Sequence, residues 1–227
     1  QHRATDALGS SLSYAATANY DSGYMATDCT VNPLSCTWNT VYVKYCDGMS
    51  FSGNNDTVLK GNNPNDKDLH FRGFRILNGV FAELDKTYNW GKATDVLISG
   101  CSAGGLTTWL HSDYIHDTYV APLKANFLSM PDSGFFMEYE GAGKYVSGLD
   151  WNYEWTNASA AMNVECMADH SDEDKHKCIF AQETAPYVHV KMFPLQSRYD
   201  SWQDSQELRS TNATLINEYG ANMTKIF

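Results

Sequence analysis

The stretch Gly100-Cys101-Ser102-Ala103-Gly104-Gly105 constrains the fold more than any other part of the 227-residue chain. It is a G-x-S-x-G pattern that directly follows the apolar run Asp95-Val96-Leu97-Ile98-Ser99. It directly precedes a segment in which Leu106, Trp109 and Leu110 recur with helical spacing. A short, almost wholly apolar run suits a strand inside a parallel sheet covered on both faces. Small residues on either side of a serine at a strand-to-helix turn let it adopt a strained backbone and stand clear of the sheet. The helix that starts there aims free N–H groups at the same point. The Ala103 amide is therefore expected to hold an oxyanion while Ser102 attacks. The competing reading is a glycine-rich strand–helix turn with an incidental serine.

The rest of the chain supplies the grammar of an α/β fold. Residues 39–46 alternate β-branched and aromatic side chains and break at Asp47-Gly48, which predicts a strand ending in a loop. Residues 54–68 are rich in Asn, Asp and Gly and predict a surface loop. Phe74, Leu77, Val80, Phe81 and Leu84 recur at spacings of three and four and predict an amphipathic helix over 71–84. Residues 124–129 and 187–193 are later strand candidates, each followed by a loop with an aspartate, Asp132 and Asp200. Residues 138–185 read as an insertion over the carboxyl edge of the sheet, where α/β enzymes keep their sites. No repeat or linker divides the chain, so a single domain over 1–227 is expected.

A hydrolase serine needs a histidine to take its proton and a carboxylate to orient that histidine, in the order serine, acid, histidine. Asp200 fits the acid by its position after a strand candidate; it equally fits a loop aspartate that caps the next helix. Phe135, Phe136 and Trp202 follow these aspartates and either line a pocket or pack in the core. Asp47 and Asp132 either position polar substrate groups or hold turns.

Charge and cysteine usage narrow the partners. The formal net charge is −11, and no basic run interrupts it, which excludes a nucleic-acid binder and disfavours anionic membranes. No apolar stretch approaches the roughly 20 residues that cross a bilayer. The six cysteines show no C-x-x-C spacing, so paired disulfides are expected rather than zinc. The pairing expected from the sequence is Cys166 with Cys178; Cys46 and Cys101 both follow strands feeding one edge and are candidates to pair, which leaves Cys29 with Cys36, one of 15 possible connectivities. The first closes a loop worth about 3 kcal/mol by chain entropy. N-x-S/T sequons at Asn55, Asn157, Asn212 and Asn222 point with the cysteines to a secreted glycoprotein. His111, Asp113 and His116 read as structural or surface residues, and neither metal nor cofactor is expected.

Five motifs carry a family resemblance. They are Tyr45-Cys46-Asp47-Gly48-Met49-Ser50-Phe51-Ser52-Gly53, Phe71-Arg72-Gly73, Ser99 through Leu106, Asp132-Ser133-Gly134-Phe135-Phe136 and Tyr199-Asp200-Ser201-Trp202-Gln203. In this order, over about residues 38–208, they resemble the pectin acetylesterase family, which includes the Wnt deacylase Notum, and lie nearer its plant-type members. The resemblance implies an α/β-hydrolase-like fold, a mostly parallel central sheet with helices on both faces, Ser102 as nucleophile and Asp200 as triad acid. It implies deacetylation of an extracellular polysaccharide, with no cofactor. A polyanion such as pectin is opposed by the net charge unless basic residues gather at the cleft or cations screen it.

Two family features are not matched. No Gly-Gly-Gly-Trp-type oxyanion segment occurs between Gln1 and Cys29, and no histidine follows Asp200. The expectation is therefore a domain incomplete at both ends. The alternatives are an esterase-derived glycoprotein without turnover, kept as a subunit of an extracellular assembly, and a lipid or protein deacylase with a deep apolar pocket. His170, His176 and His189 are the out-of-order candidates for a base.

Overall fold

Two parallel strands, β1 (Asp95–Cys101) and β2 (Asn126–Asp132), pair residue by residue from Asp95 with Asn126 to Cys101 with Asp132. The computed structural model describes residues 8–12, 14–61, 66–139 and 143–227, with only the backbone for 143–147. Residues 62–65 of the expected 54–68 loop lie outside it. Three helices surround the strands along the chain: α1 (Gly73–Thr87) before β1, α2 (Ala103–Ile115) between the strands, and α3 (Gly143–Thr156) after β2. The remaining helices are α4 (Val164–Asp169), α5 (Ala181–Thr184), α6 (Ser201–Gln206) and α7 (Ala213–Ile226).

Helix α1 buries Leu77 and Phe81, four residues apart on one face, against Val96 of β1 and Ile115 of α2. Helix α2 joins two cores, since Leu106, Trp109 and Leu110 pack on the other side into a larger cluster. Residues 140–142 of the expected insertion lie outside the described residues, and the rest of 138–185 contributes to the core. Leu149, Ala158, Met162, Ile179 and Phe180 belong to that larger cluster, and only Leu149 among them is more than 5% exposed.

Two expected strands differ. Residues 39–46 run without a ladder partner among the described residues, and Val41 and Tyr42 are more than half exposed. Alternation alone gives a strand no neighbour to bond. The 187–193 candidate pairs farther along than expected. Ser129 bridges Met192 and Asp132 bridges Leu195, both in parallel, so the third strand position is filled by 192–195 beside β2. Its first residue, Tyr187, instead ends a short 3-10 turn, Ala185–Tyr187.

Cys29 is bonded to Cys36 and Cys166 to Cys178, but the expected Cys46–Cys101 bond is absent, and both cysteines are free thiols. The two side chains have different surroundings. Cys46 meets the Tyr14 hydroxyl and Asp47, while Cys101 is close to Asp132 and Asp200.

Candidate active site

Strand β1 ends at Cys101 and α2 begins at Ala103, so Ser102 makes the turn alone. Its backbone, at φ 58° and ψ −118°, lies where an L-residue is strained by on the order of 1–3 kcal/mol. Two hydrogen bonds impose it: the Ser102 N–H donates to the Asp132 carbonyl (3.0 Å), and the Ser102 carbonyl accepts from the Leu106 N–H (2.9 Å). Close packing makes this turn possible. A Cβ on Gly100 would stand 2.5 Å from the Gly104 backbone, and one on Gly105 would stand 2.3 Å from the Asp132 carbonyl oxygen. The glycine at 100 is thus required by the approach of strand to helix. The N–H of Ala103 belongs to the first turn of α2, where amides lack intrahelical acceptors.

Ser102 and Ala103 open onto a cleft of about 830 Å³. Its floor is apolar, formed by Leu106, Leu110, Phe136, Leu149 and Ile179, each under 9% exposed. Trp151 and Trp202 stand at its edge, each 41% exposed, and Phe136 meets Trp202 edge-to-face at 5.4 Å. Of the three aromatics singled out in the sequence, Phe136 and Trp202 line the cleft. Phe135 is core, packed against Trp109.

One wall is the loop from Asp47 to Ser50, whose Gly48 and Ser50 both have positive φ. Asp47 holds this loop. Its Oδ2 accepts from Phe51 N–H (2.8 Å) and Met49 N–H (3.3 Å), while Oδ1 is buried without a partner among the described residues. Burial pushes its carboxyl up to about 6, against those bonds. From the other side, fully buried His111 bonds the Ser50 carbonyl through Nε2 (3.0 Å), so that nitrogen carries the hydrogen. Burial lowers His111 to about 4, and the neutral ring braces the wall. Helical spacing puts residue 111 beside polar neighbours in the sequence, and only the fold turns it inward.

Folding raises the Asp47 pKa, so its contribution to stability is complete below about 4 and is lost as pH rises through about 6. Asp47→Asn keeps an acceptor for both amides and does not ionise. Its stability relative to wild type is expected to improve by about 2 kcal/mol between pH 4 and 7, read from denaturant midpoints. A difference independent of pH would contradict the burial of this carboxyl.

Asp200 caps α6, its Oδ1 accepting from Trp202 N–H (2.9 Å) and Gln203 N–H (3.2 Å). The capping reading therefore holds in the geometry. Asp200 also stands near the elbow: the Cys101 thiol is pushed up first by burial and then by the charges of Asp132 and Asp200. Asp132 contributes its carbonyl to the Ser102 turn, and its carboxylate accepts from the Ser133 hydroxyl.

No histidine hydrogen-bonds Ser102 among the described residues. His170 is bonded to the Cys166 carbonyl, His176 faces Asp150 and His189 is bonded to Glu165, so the three out-of-order candidates have other partners. His70, which the sequence reading passed over, lines the cleft. Cys166, His170 and Cys178 bring potential metal ligand atoms within 4.8 Å of one another, but the two sulfurs are joined to each other and are not thiolate ligands.

Asn157, Asn212 and Asn222 are exposed, whereas Asn55 is half-buried and donates to the Trp155 carbonyl at 2.6 Å. Asn157 donates to the Asn54 carbonyl, and Asn212 caps α7. No helix among the described residues is long and apolar enough to cross a membrane.

Comparison with known proteins adds sequence and fold relatives. The family model described as Pectinacetylesterase matches residues 1–226. Pectin acetylesterase 5 of Arabidopsis thaliana is 29% identical over 214 residues, which cover 93% of this chain and 48% of that protein. Pectin acetylesterase 7 of the same plant is 30% identical over 197 residues, 84% of this chain and 46% of that protein. The chain thus spans about half the length of these relatives. The structure of the Wnt deacylase Notum from Drosophila superposes with a TM-score of 0.80 at 21% identity, covering 96% of this chain and 64% of that one. The fold is accordingly of the α/β-hydrolase class.

Proposed function

We propose, from the premise that this chain belongs to the pectin acetylesterase family, that it carries the nucleophile and acid of a secreted serine carboxylesterase that removes O-acetyl groups from an extracellular polysaccharide. The observation that carries this reading is Ser102 alone at a strained strand-to-helix turn, opening on the cleft beside a free helix N-terminus. Ser102 Oγ attacks the acetyl carbonyl and forms an ester bond to it. Its proton passes to a histidine outside these residues, which Asp200 orients, and then to the departing sugar oxygen. The Ala103 amide donates to the oxyanion. Water then cleaves the acetyl-serine by the same steps, releasing acetate.

The open cleft with Trp151 and Trp202 at its edge suits the flat apolar faces of sugar rings. Disulfides at Cys29–Cys36 and Cys166–Cys178 support an oxidising compartment, and the four sequons support glycosylation there. A second reading, a longer acyl group, is favoured by one feature: the apolar floor exceeds what an acetyl fills.

The full-length protein is expected to release acetate from acetylated pectin or a less charged acetylated glycan, and to cleave p-nitrophenyl acetate faster than the octanoate. Preference for the octanoate would establish the second reading. Hydrolysis of neither ester would overturn both.

A further inference from the structure

Asp200 ends a buried chain of polar side chains that the proposed reaction does not otherwise use. Gln203 Nε2 donates to Asp200 Oδ2 (3.2 Å) and to the Phe135 carbonyl (3.3 Å). Gln203 Oε1 meets the Tyr219 hydroxyl at 2.5 Å, and the same hydroxyl meets Glu207 Oε2 at 2.7 Å. Gln203 and Glu207 are fully buried and Tyr219 is 3% exposed. Gln203 and Glu207 bracket one turn of α6 and its end, and Tyr219 reaches them from α7.

Counting hydrogens fixes the direction of this chain. Asp200 Oδ2 and the Phe135 carbonyl are acceptors, so the amide nitrogen of Gln203 faces them and its oxygen faces Tyr219. The opposite amide orientation would set an oxygen against two oxygens. Gln203 Oε1 therefore requires the Tyr219 hydrogen. A hydroxyl has one hydrogen, so none remains for Glu207, and the 2.7 Å contact then needs a hydrogen from the Glu207 side. An ionised Glu207 would leave two buried oxygens competing for one donor.

We infer that Glu207 is a protonated carboxylic acid whose hydrogen orders Tyr219 and Gln203, and that it thereby acts as a positioning residue for Asp200. The inference rests on the reading of Asp200 as the triad acid. The surroundings agree with it: burial first, then the charge of Asp200, pushes the Glu207 carboxyl up to about 8, against the bond to Tyr219. The other carboxylate on this helix, Asp204, is itself raised by burial and by Asp200. Glu207 Oε1 has no partner among the described residues, which is tolerable for a neutral carbonyl oxygen and costly for a carboxylate. Ionisation above pH 8 would draw the Tyr219 hydrogen to Glu207, release Gln203 and loosen Asp200.

The test is a pH titration by carbon NMR of the full-length protein labelled at Asp and Glu carboxyl carbons, with Asp200→Asn and Glu207→Gln used for assignment. Glu207 is expected to be protonated at pH 7 and to ionise near pH 8, with the Asp200 resonance moving through the same interval. In Tyr219→Phe the Asp200 step at that pH is expected to disappear. Should that variant not fold, Glu207→Gln, which presents a donor at every pH, is expected to abolish the step as well. Glu207 ionised at pH 7, or an Asp200 resonance that does not follow it, would overturn the inference. The titration needs no turnover, so its failure is separate from failure of the esterase reading.

Discussion

Replacing Ser102 with alanine is expected to lower kcat for acetyl ester hydrolysis by the full-length protein by about 10³-fold or more, without loss of the fold. In the proposed reaction the side chain is the nucleophile, and alanine at the turn between Cys101 and Ala103 offers no hydroxyl in its place. Ser102→Gly separates chemistry from strain. It is equally inactive, but glycine adopts φ 58° with little cost, so the variant is expected to be more stable than wild type by about 1 kcal/mol. Steady-state kinetics and thermal melts of both variants check this. A Ser102→Gly protein less stable than Ser102→Ala would contradict a strained elbow, and retained hydrolysis in either would remove Ser102 from the mechanism.

The second large effect is expected at Gly105, which has no part in the chemistry. Its missing side chain lets α2 approach the end of β2. A Cβ there would lie 2.3 Å from the Asp132 carbonyl oxygen and 2.9 Å from Gly134, and one on Gly134 would lie 2.2 Å from the Gly105 carbonyl carbon. All these neighbours are backbone, so no side chain can rotate away. Gly105→Ala is expected to cost about 3 kcal/mol, lowering the melting temperature by about 10 °C. The same Asp132 carbonyl holds the Ser102 N–H, so the surviving folded protein is expected to lose activity as well. At Gly104, by contrast, a Cβ would meet nothing within 4 Å, and Gly104→Ala is expected to be tolerated in stability.

Legibility in the sequence followed the range of the interactions. The elbow, β1 and α1 were readable because each is encoded by near neighbours: glycines flanking a serine, the apolar run Val96-Leu97-Ile98, and apolar residues at helical spacing. The third strand position was read several residues early, because the bonds from Ser129 and Pro131 choose 192–195, and nothing local marks that choice. Residues 39–46 show the converse, an alternating pattern with no described neighbour to pair with.

At the site, Ser102, Phe136 and Trp202 come together on the cleft, although the sequence left the two aromatics between pocket and core, and Asp200 lies close to Cys101. The Cys46–Cys101 pairing was inferred from two strand ends at one edge. Position along an edge does not fix the direction of a thiol, and these two face different carboxylates. His111 and Glu207 were hidden for another reason. Each is polar at a position that only tertiary packing buries, against Ser50 in one case and Tyr219 in the other. An i, i+4 step from Gln203 to Glu207 is visible in the sequence, but the tyrosine that joins them comes from another helix.

The most direct measurement of the central claim is covalent capture of Ser102 by a fluorophosphonate in the full-length protein, read by intact mass and peptide mapping. An adduct on the peptide bearing Ser102, absent from Ser102→Ala and suppressed by an acetylated substrate, is the predicted result. A folded protein that takes up no label, or is labelled at another residue, would contradict the assignment of Ser102 as an activated nucleophile.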